Sequence, residues 1–224
     1  MVTASSLNDV VEFAENPEPR CPCVLLLDTS GSMHGPPIDA LNEGLWVFKL
    51  EVCKDPLAAR RVEVAVVAFD DRVRVIQPFI GIEEFEPPVL TAQGLTHMGG
   101  AIATALDLIQ ARKRQYKDHG ITYYRPWIFM LTDGEPQGEP DELVAQAARR
   151  VREDEAQKHV AFFAVGVEGA NLERLRGIAA RQPVRLKGLN FRELFVWLSS
   201  SMQAVAQSKP DEQVPLAPAG WATL

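Results

Sequence analysis

Apolar and polar positions along the chain alternate between two kinds of pattern. Val24 to Leu27 is an unbroken apolar run, too short for a helix, that stops at a carboxylate. Such a run reads as a strand buried on both faces of a parallel sheet. Ile38, Leu41, Leu45, Phe48 and Val52 then recur at steps of three and four, which predicts an amphipathic helix prepared by Pro36-Pro37 and closed before Pro56. Val62 to Phe69 and Val73 to Phe79, joined by the turn Asp70-Asp71, read as an antiparallel hairpin. Pro78 places its second strand at the sheet edge.

The alternation continues to the end of the chain. Met98, Ile102, Ala105, Leu106 and Ile109 start a second helix, whose polar end from Arg112 to His119 is expected in solvent. Trp127 to Leu131 is another short strand ending at a carboxylate, and a third helix is expected from about Glu139 to Glu155. Val160 to Val165 is a further buried strand, and Asn171 caps a short helix reaching Ala180. Val184 to Leu186 forms a last edge strand, and Asn190 caps a final helix with Phe191, Leu194, Phe195, Leu198, Met202 and Val205 inward. Strands and helices in this order predict an α/β fold: a doubly wound, mostly parallel central sheet with one antiparallel edge strand and helices on both faces. Residues 1–20 read as a polar lead-in, 21–207 as one domain, and 208–224 as a proline-containing tail. Trp221 stands out in that tail; an exposed Trp is uncommon, so it docks on this domain or on a partner.

Composition narrows the function classes. A formal net charge of −7 argues against a nucleic-acid partner. No apolar run approaches the roughly 20 residues of a membrane span, so no membrane role is expected. Cys21, Cys23 and Cys53 are too few for a disulfide framework and read as reduced thiols, which points to the cytoplasm.

The candidate chemistry sits where apolar runs end. In open α/β sheets the ligand crevice lies outside the carboxyl ends of the strands. Asp28, Ser30 and Ser32 belong there, with Gly31 allowing a tight turn, and so do Thr96 and Asp133. These are hard oxygen donors, which suit Mg²⁺ or a similar cation and not zinc or copper. No Lys or Arg lies in the three loops. Two carboxylates nearly neutralise a dication, and hydroxyl ligands leave it electrophilic, so a carboxylate from another molecule is the natural last ligand. Glu135, His34 and His97 flank the set: Glu135 within reach of a metal-bound water, the histidines placed to gate anion binding by protonation.

The pattern Asp28-x-Ser30-x-Ser32, then Thr96, then Asp133-Gly134 resembles the metal-ion-dependent adhesion site of von Willebrand factor type A domains, and the likeness covers about residues 20–207. Leu-Leu-Asp-Thr-Ser-Gly-Ser-Met, the segment Pro37-Ile38-x-Ala40-Leu41-Asn42-Glu43-Gly44, and Leu131-Thr132-Asp133-Gly134-Glu135-Pro136 are similar to the bacterial tellurium-resistance TerY-type proteins. The resemblance implies a Rossmann-like fold in which Ser30, Ser32 and Thr96 bind Mg²⁺ (or Mn²⁺ or Ca²⁺) directly, and Asp28 and Asp133 largely through water. It also implies a non-enzymatic adaptor that captures an Asp or Glu of a protein partner, in a stress-response system containing a kinase and a phosphatase.

Enzyme readings fare worse. Asp28-Thr29-Ser30-Gly31 has no second copy to make an aspartic-protease dyad. A haloacid-dehalogenase-type phosphatase needs a carboxylate where Ser30 stands, and a Lys. Neither serine lies in a Gly-x-Ser-x-Gly elbow. A Mg²⁺-dependent phosphoester hydrolase in the same cleft is the alternative. A third possibility is a structural metal, with the partner bound through the tail around Trp221.

Overall fold

The computed structural model describes residues 13, 15–133, 135–210 and 212–223. Seven strands form one sheet in the order β3-β2-β1-β4-β5-β6-β7: β1 Cys21–Asp28, β2 Val62–Phe69, β3 Val73–Gly81, β4 Trp127–Thr132, β5 Ala161–Gly166, β6 Val184–Leu186 and β7 Ala222–Thr223. β1, β2, β4, β5 and β6 pair in parallel, and β3 runs antiparallel at one edge. The doubly wound α/β reading therefore holds. β1 is the pivot, because the chain builds outward from it through β2 and β3 and then returns to its other side with β4. That reversal opens the crevice between the carboxyl ends of β1 and β4.

The helices are α1 Pro36–Val52, α2 Pro56–Arg61, α3 Met98–Asp118, α4 Asp141–Ala156, α5 Leu172–Ile178 and α6 Phe191–Gln207. Alternation along β1 divides the interior in two. Cys21, Cys23, Leu25 and Leu27 pack with α1 and α6, whereas Val24 and Leu26 pack with α3, α4 and α5. α1 and α6 come so close that a Cβ on Gly44 would lie 2.3 Å from the Phe195 ring. Asn171 caps α5, its Oδ1 accepting from Arg174 N at 3.2 Å; Asn190 precedes α6 but makes no side-chain cap. No helix among the described residues is long and apolar enough to cross a membrane.

Three expectations change. The end of α3 is not all in solvent, since Arg112 and Tyr116 are buried. They turn inward because Glu63 is itself buried at the start of β2 and needs compensation. Its carboxylate meets Arg20 Nε at 2.7 Å and Arg112 Nε at 2.8 Å, and accepts from the Tyr116 hydroxyl. The lead-in takes part: Phe13 is buried, with Arg112 4.9 Å from its ring centre. Residues 1–12 and Ala14 of that lead-in lie outside the described residues.

The second change is at the far edge. β6 is not the last strand, because β7 pairs with it antiparallel, so both sheet edges are antiparallel. The third is the tail: of the two docking sites expected for Trp221 it takes this domain, buried with its ring 5.4 Å from that of Trp197. Trp197 Nε1 donates to Ala217 O at 2.8 Å, and Lys187 N donates to Trp221 O at 3.0 Å. The stretch read as a tail thus carries a core side chain and a strand.

Trp221→Ala should lower the unfolding free energy by about 3 kcal/mol or more, the usual cost of truncating a buried aromatic, measured by urea denaturation. Trp221→Phe should cost much less, because the buried indole N–H has no hydrogen-bond partner among the described residues. An alanine variant as stable as wild type would show that this segment is not packed in solution.

Candidate metal centre

The serine loop and the Asp133 loop leave the carboxyl ends of β1 and β4, and the long segment between β3 and α3, which carries Thr96, meets them above the crevice. The first begins at Asp28, whose side chain is buried and fully engaged. Asp28 Oδ1 accepts from Ser30 N at 2.8 Å and Oδ2 from Thr132 Oγ1 at 2.5 Å, so the carboxylate binds the ends of two neighbouring strands together. Turning back on Asp28, the backbone brings Ser30 Oγ to 3.1 Å from Ser32 Oγ. Ser32 Oγ in turn donates to Asp133 Oδ1 at 2.9 Å. The Ser32 proton goes to Asp133, and the two serine hydroxyls lie within hydrogen-bond distance of each other. Asp28, Ser30, Ser32 and Asp133, which are up to 105 positions apart in the chain, therefore form one connected group.

Thr96 joins through its backbone. It is buried, and it exchanges backbone hydrogen bonds with Gln137 in the loop after Asp133: Thr96 N to Gln137 O at 3.3 Å and Gln137 N to Thr96 O at 2.9 Å. The loop before it is tied to the serine loop by Gly31 N to Gly94 O at 3.0 Å and Gln93 N to Thr29 O at 2.8 Å. Among the described residues no hydrogen bond links the Thr96 hydroxyl to the serine pair. Gly134, the second half of the Asp-Gly pair, lies outside the described residues.

The flanking residues part company. Glu135 is exposed and its Oε1 accepts from Asn171 Nδ2 at 2.5 Å, which pins the Asp133 loop to the cap of α5. His34 is exposed, and His97 uses its backbone N–H on Asp70 O at 2.8 Å. Asp70, read as a turn residue, is buried: Oδ2 takes Arg74 Nη2 and lies 3.3 Å from Thr29 Oγ1, and Oδ1 accepts Arg72 N at 2.9 Å. It thereby holds the hairpin to both the Thr29 and the His97 segments. Thr132 was equally unforeseen, although its place beside Asp133 at a strand end was a usable signal. Nothing in the local pattern marks Asp70 as buried.

The donor set fits a small hard cation. Ligands at roughly 2.0–2.1 Å in an octahedron stand about 2.9 Å apart along each edge, close to the 3.1 Å between Ser30 Oγ and Ser32 Oγ. Among the described residues no three His, Cys, Asp or Glu side chains cluster as metal ligands, and a cation held here would take part of its shell from hydroxyls. Electrostatics point the same way. Burial pushes the Asp28 carboxyl up to about 6 from 3.8, with the hydrogen bonds from Ser30 and Thr132 pulling it back and Asp133 pushing it further. Burial also raises Asp133, against the hydrogen bond from Ser32.

A family model described as the von Willebrand factor type A domain matches residues 23–193. The chain matches no curated protein sequence. Among solved structures, it is similar to a von Willebrand factor type A protein from Catenulispora acidiphila, with TM-score 0.63 and 19% identity over 83% of this chain and 43% of that one. The pilus adhesin SpaC from Lactobacillus rhamnosus GG gives TM-score 0.67 at 12% identity, over 83% of this chain and 30% of that one. The von Willebrand domain of a type V pilus tip protein from Porphyromonas gingivalis gives 0.61 at 12%, over 87% and 99%. The chain thus spans less than half the length of the first two, and at these identities the likeness is one of fold.

In chelator-treated protein the strained Asp28 carboxyl makes stability depend on pH. Its folded pKa is raised, so the proton is held more tightly in the folded state. The associated stability is fully present below about pH 4 and is lost as pH rises through about 6, a swing on the order of 3 kcal/mol for roughly two pK units. Asp28→Asn keeps an acceptor for Ser30 N and removes the charge. Its urea midpoint should exceed that of wild type at pH 7.5, with the gap closing by pH 4; an absent or reversed gap would show that the charge is not strained.

Proposed function

Since the chain belongs to the von Willebrand factor type A domain family, a family that typically mediates protein interactions, we propose that it is a non-enzymatic adaptor whose crevice holds a divalent cation and captures a carboxylate of a protein partner. Mg²⁺ is the preferred ion, ahead of Mn²⁺ and Ca²⁺, because the donors are all hard oxygens at short spacing. Ser30, Ser32 and Thr96 would hold it directly, with Asp28 and Asp133 acting through ordered water. When bound, the cation supplies a Lewis-acid position to which an Asp or Glu can coordinate.

The observation that carries this reading is the Ser30–Ser32 hydroxyl pair, spaced near an octahedral edge, bonded through Ser32 to Asp133 and set beside the buried Asp28 carboxylate. The chain's own residues do the rest. Asp28 and Thr132 fix the strand ends, and the backbone ties of Gly31, Gln93 and Thr96 keep the three loops in register. What surrounds the hydroxyls supports an adaptor over a hydrolase. The three loops hold no Lys or Arg to stabilise a transferred phosphoryl group. Arg74 reaches within 3.4 Å of Thr29 Oγ1 but is committed to Asp70. The finer setting belongs to the same proposal: a tellurium-resistance or stress-response system with a kinase and a phosphatase, in the cytoplasm. It rests on the TerY-type motifs and the three free thiols.

Isothermal titration should show Mg²⁺ or Mn²⁺ binding that Ser30→Ala and Asp28→Ala each weaken at least about tenfold, the low end for disturbing a metal's ligands and their supports, with circular dichroism unchanged. Capture of a partner from lysate should be lost with chelator and with Asp28→Ala, and Thr96→Ala should weaken capture more than cation binding. Cation binding untouched by these variants, or steady Mg²⁺-dependent turnover of p-nitrophenyl phosphate that Asp28→Ala abolishes, would overturn the adaptor reading.

A further inference from the structure

Thr96 and Asp133 lie on different loops, yet the proposed cation site needs both at fixed positions. α3, which begins two residues after Thr96, has a poorly provided N-terminus. His97 makes no side-chain cap, and no acid stands in the first turn. Helices leave their first N–H groups without intrahelical partners, and carboxylates are the groups that satisfy them best. The missing acceptor arrives from 40 positions downstream. Glu139 Oε1 accepts from Gly99 N at 2.6 Å, and its Oε2 accepts from Gly100 N at 3.1 Å.

Glu139 stands in the Asp133 loop, two residues beyond Gln137, whose backbone already pairs with Thr96. Gly138 between them has φ +80°, and a Cβ there would lie 2.6 Å from Leu95 Cδ1 and 3.0 Å from the His97 ring. Only glycine lets Gln137 and Glu139 engage the same short segment together. On the other side, a Cβ on Gly99 would lie 2.8 Å from Val144 N, so the first turns of α3 and α4 abut directly. The start of α3 is therefore held between the Glu139 carboxylate and the backbone of α4.

We infer that Glu139 is a positioning residue for the cation site: its two-armed hold on Gly99 and Gly100 locks the Thr96 segment to the loop that carries Asp133. This rests on the cation reading of the crevice. Glu139 touches neither the serines nor Asp133 among the described contacts, so it acts through the backbone it restrains.

The test is Mn²⁺ binding by isothermal titration and by electron paramagnetic resonance, with amide hydrogen exchange, on the full chain. Glu139→Ala should weaken Mn²⁺ binding about tenfold, as loss of an outer support of a metal site does, and speed exchange at Gly99 and Gly100. Glu139→Gln, which keeps one acceptor, should give an intermediate loss and is the variant to read if the alanine protein does not fold. Asp55→Ala is the control, because Asp55 caps α2 in the same two-bond manner, on Leu57 N and Ala58 N at 2.9 and 2.8 Å, away from the crevice. It should lower thermal stability and leave Mn²⁺ affinity unchanged. Mn²⁺ affinity within twofold of wild type in the Glu139 variants overturns the assignment while leaving the cation site standing. No Mn²⁺ binding by wild type, or binding that survives Asp28→Ala, overturns both.

Discussion

A carboxylate that cannot reach water must find its hydrogen bonds inside the protein, and Asp28 finds them at the ends of two strands. Its acceptance of Ser30 N and Thr132 Oγ1 ties β1 to β4 at the point where the sheet changes direction. The reward is local order: Ser30 and Ser32 are brought together, and Ser32 meets Asp133 from the next strand. The cost is a negative charge held in a dry place beside a second one, which is the condition a bound cation relieves.

The rest of the crevice is held by ties that involve no cation. Asp70 fastens the β2–β3 hairpin to Thr29 and, through its carbonyl, to His97. Gln137 and Glu139 fasten the Asp133 loop to Thr96 and the start of α3, and Glu135 fastens it to Asn171. A loop pinned at three points loses little conformational freedom on binding, and such preorganisation is where affinity is usually won or lost.

The opposite end of the sheet shows a parallel solution to buried charge. Glu63 is met by Arg20, Arg112 and Tyr116, which draws the segment before β1 and the last turns of α3 onto the base of β2. At the β6 edge, the closing stretch covers the sheet with Trp221 and β7. An edge strand left open invites pairing with another chain, and here Ala222–Thr223 of the same chain pair with β6.

Much of this was legible in the chain. Short apolar runs bounded by turns identify β1, β2, β4 and β5, and three-to-four spacing identifies α1, α3, α4 and α6, because burial of one face imposes its period on the residues. Asp28 and Asp133 stand where apolar runs stop, at strand ends that converge in such sheets, and Ser30 and Ser32 follow Asp28; Thr96, in the long loop before α3, joins them as a candidate through the family pattern. What only the tertiary structure decided are the partnerships of buried polar groups. Arg112 looks like a solvent residue until Glu63 faces it, Asp70 like a turn until Thr29 and Arg74 close on it, and Glu139 like the first residue of a helix that in fact begins at Asp141, until the start of α3 meets it. Trp221 has no period around it to announce its burial. Each depends on a contact between segments far apart in sequence, which one-dimensional spacing does not encode.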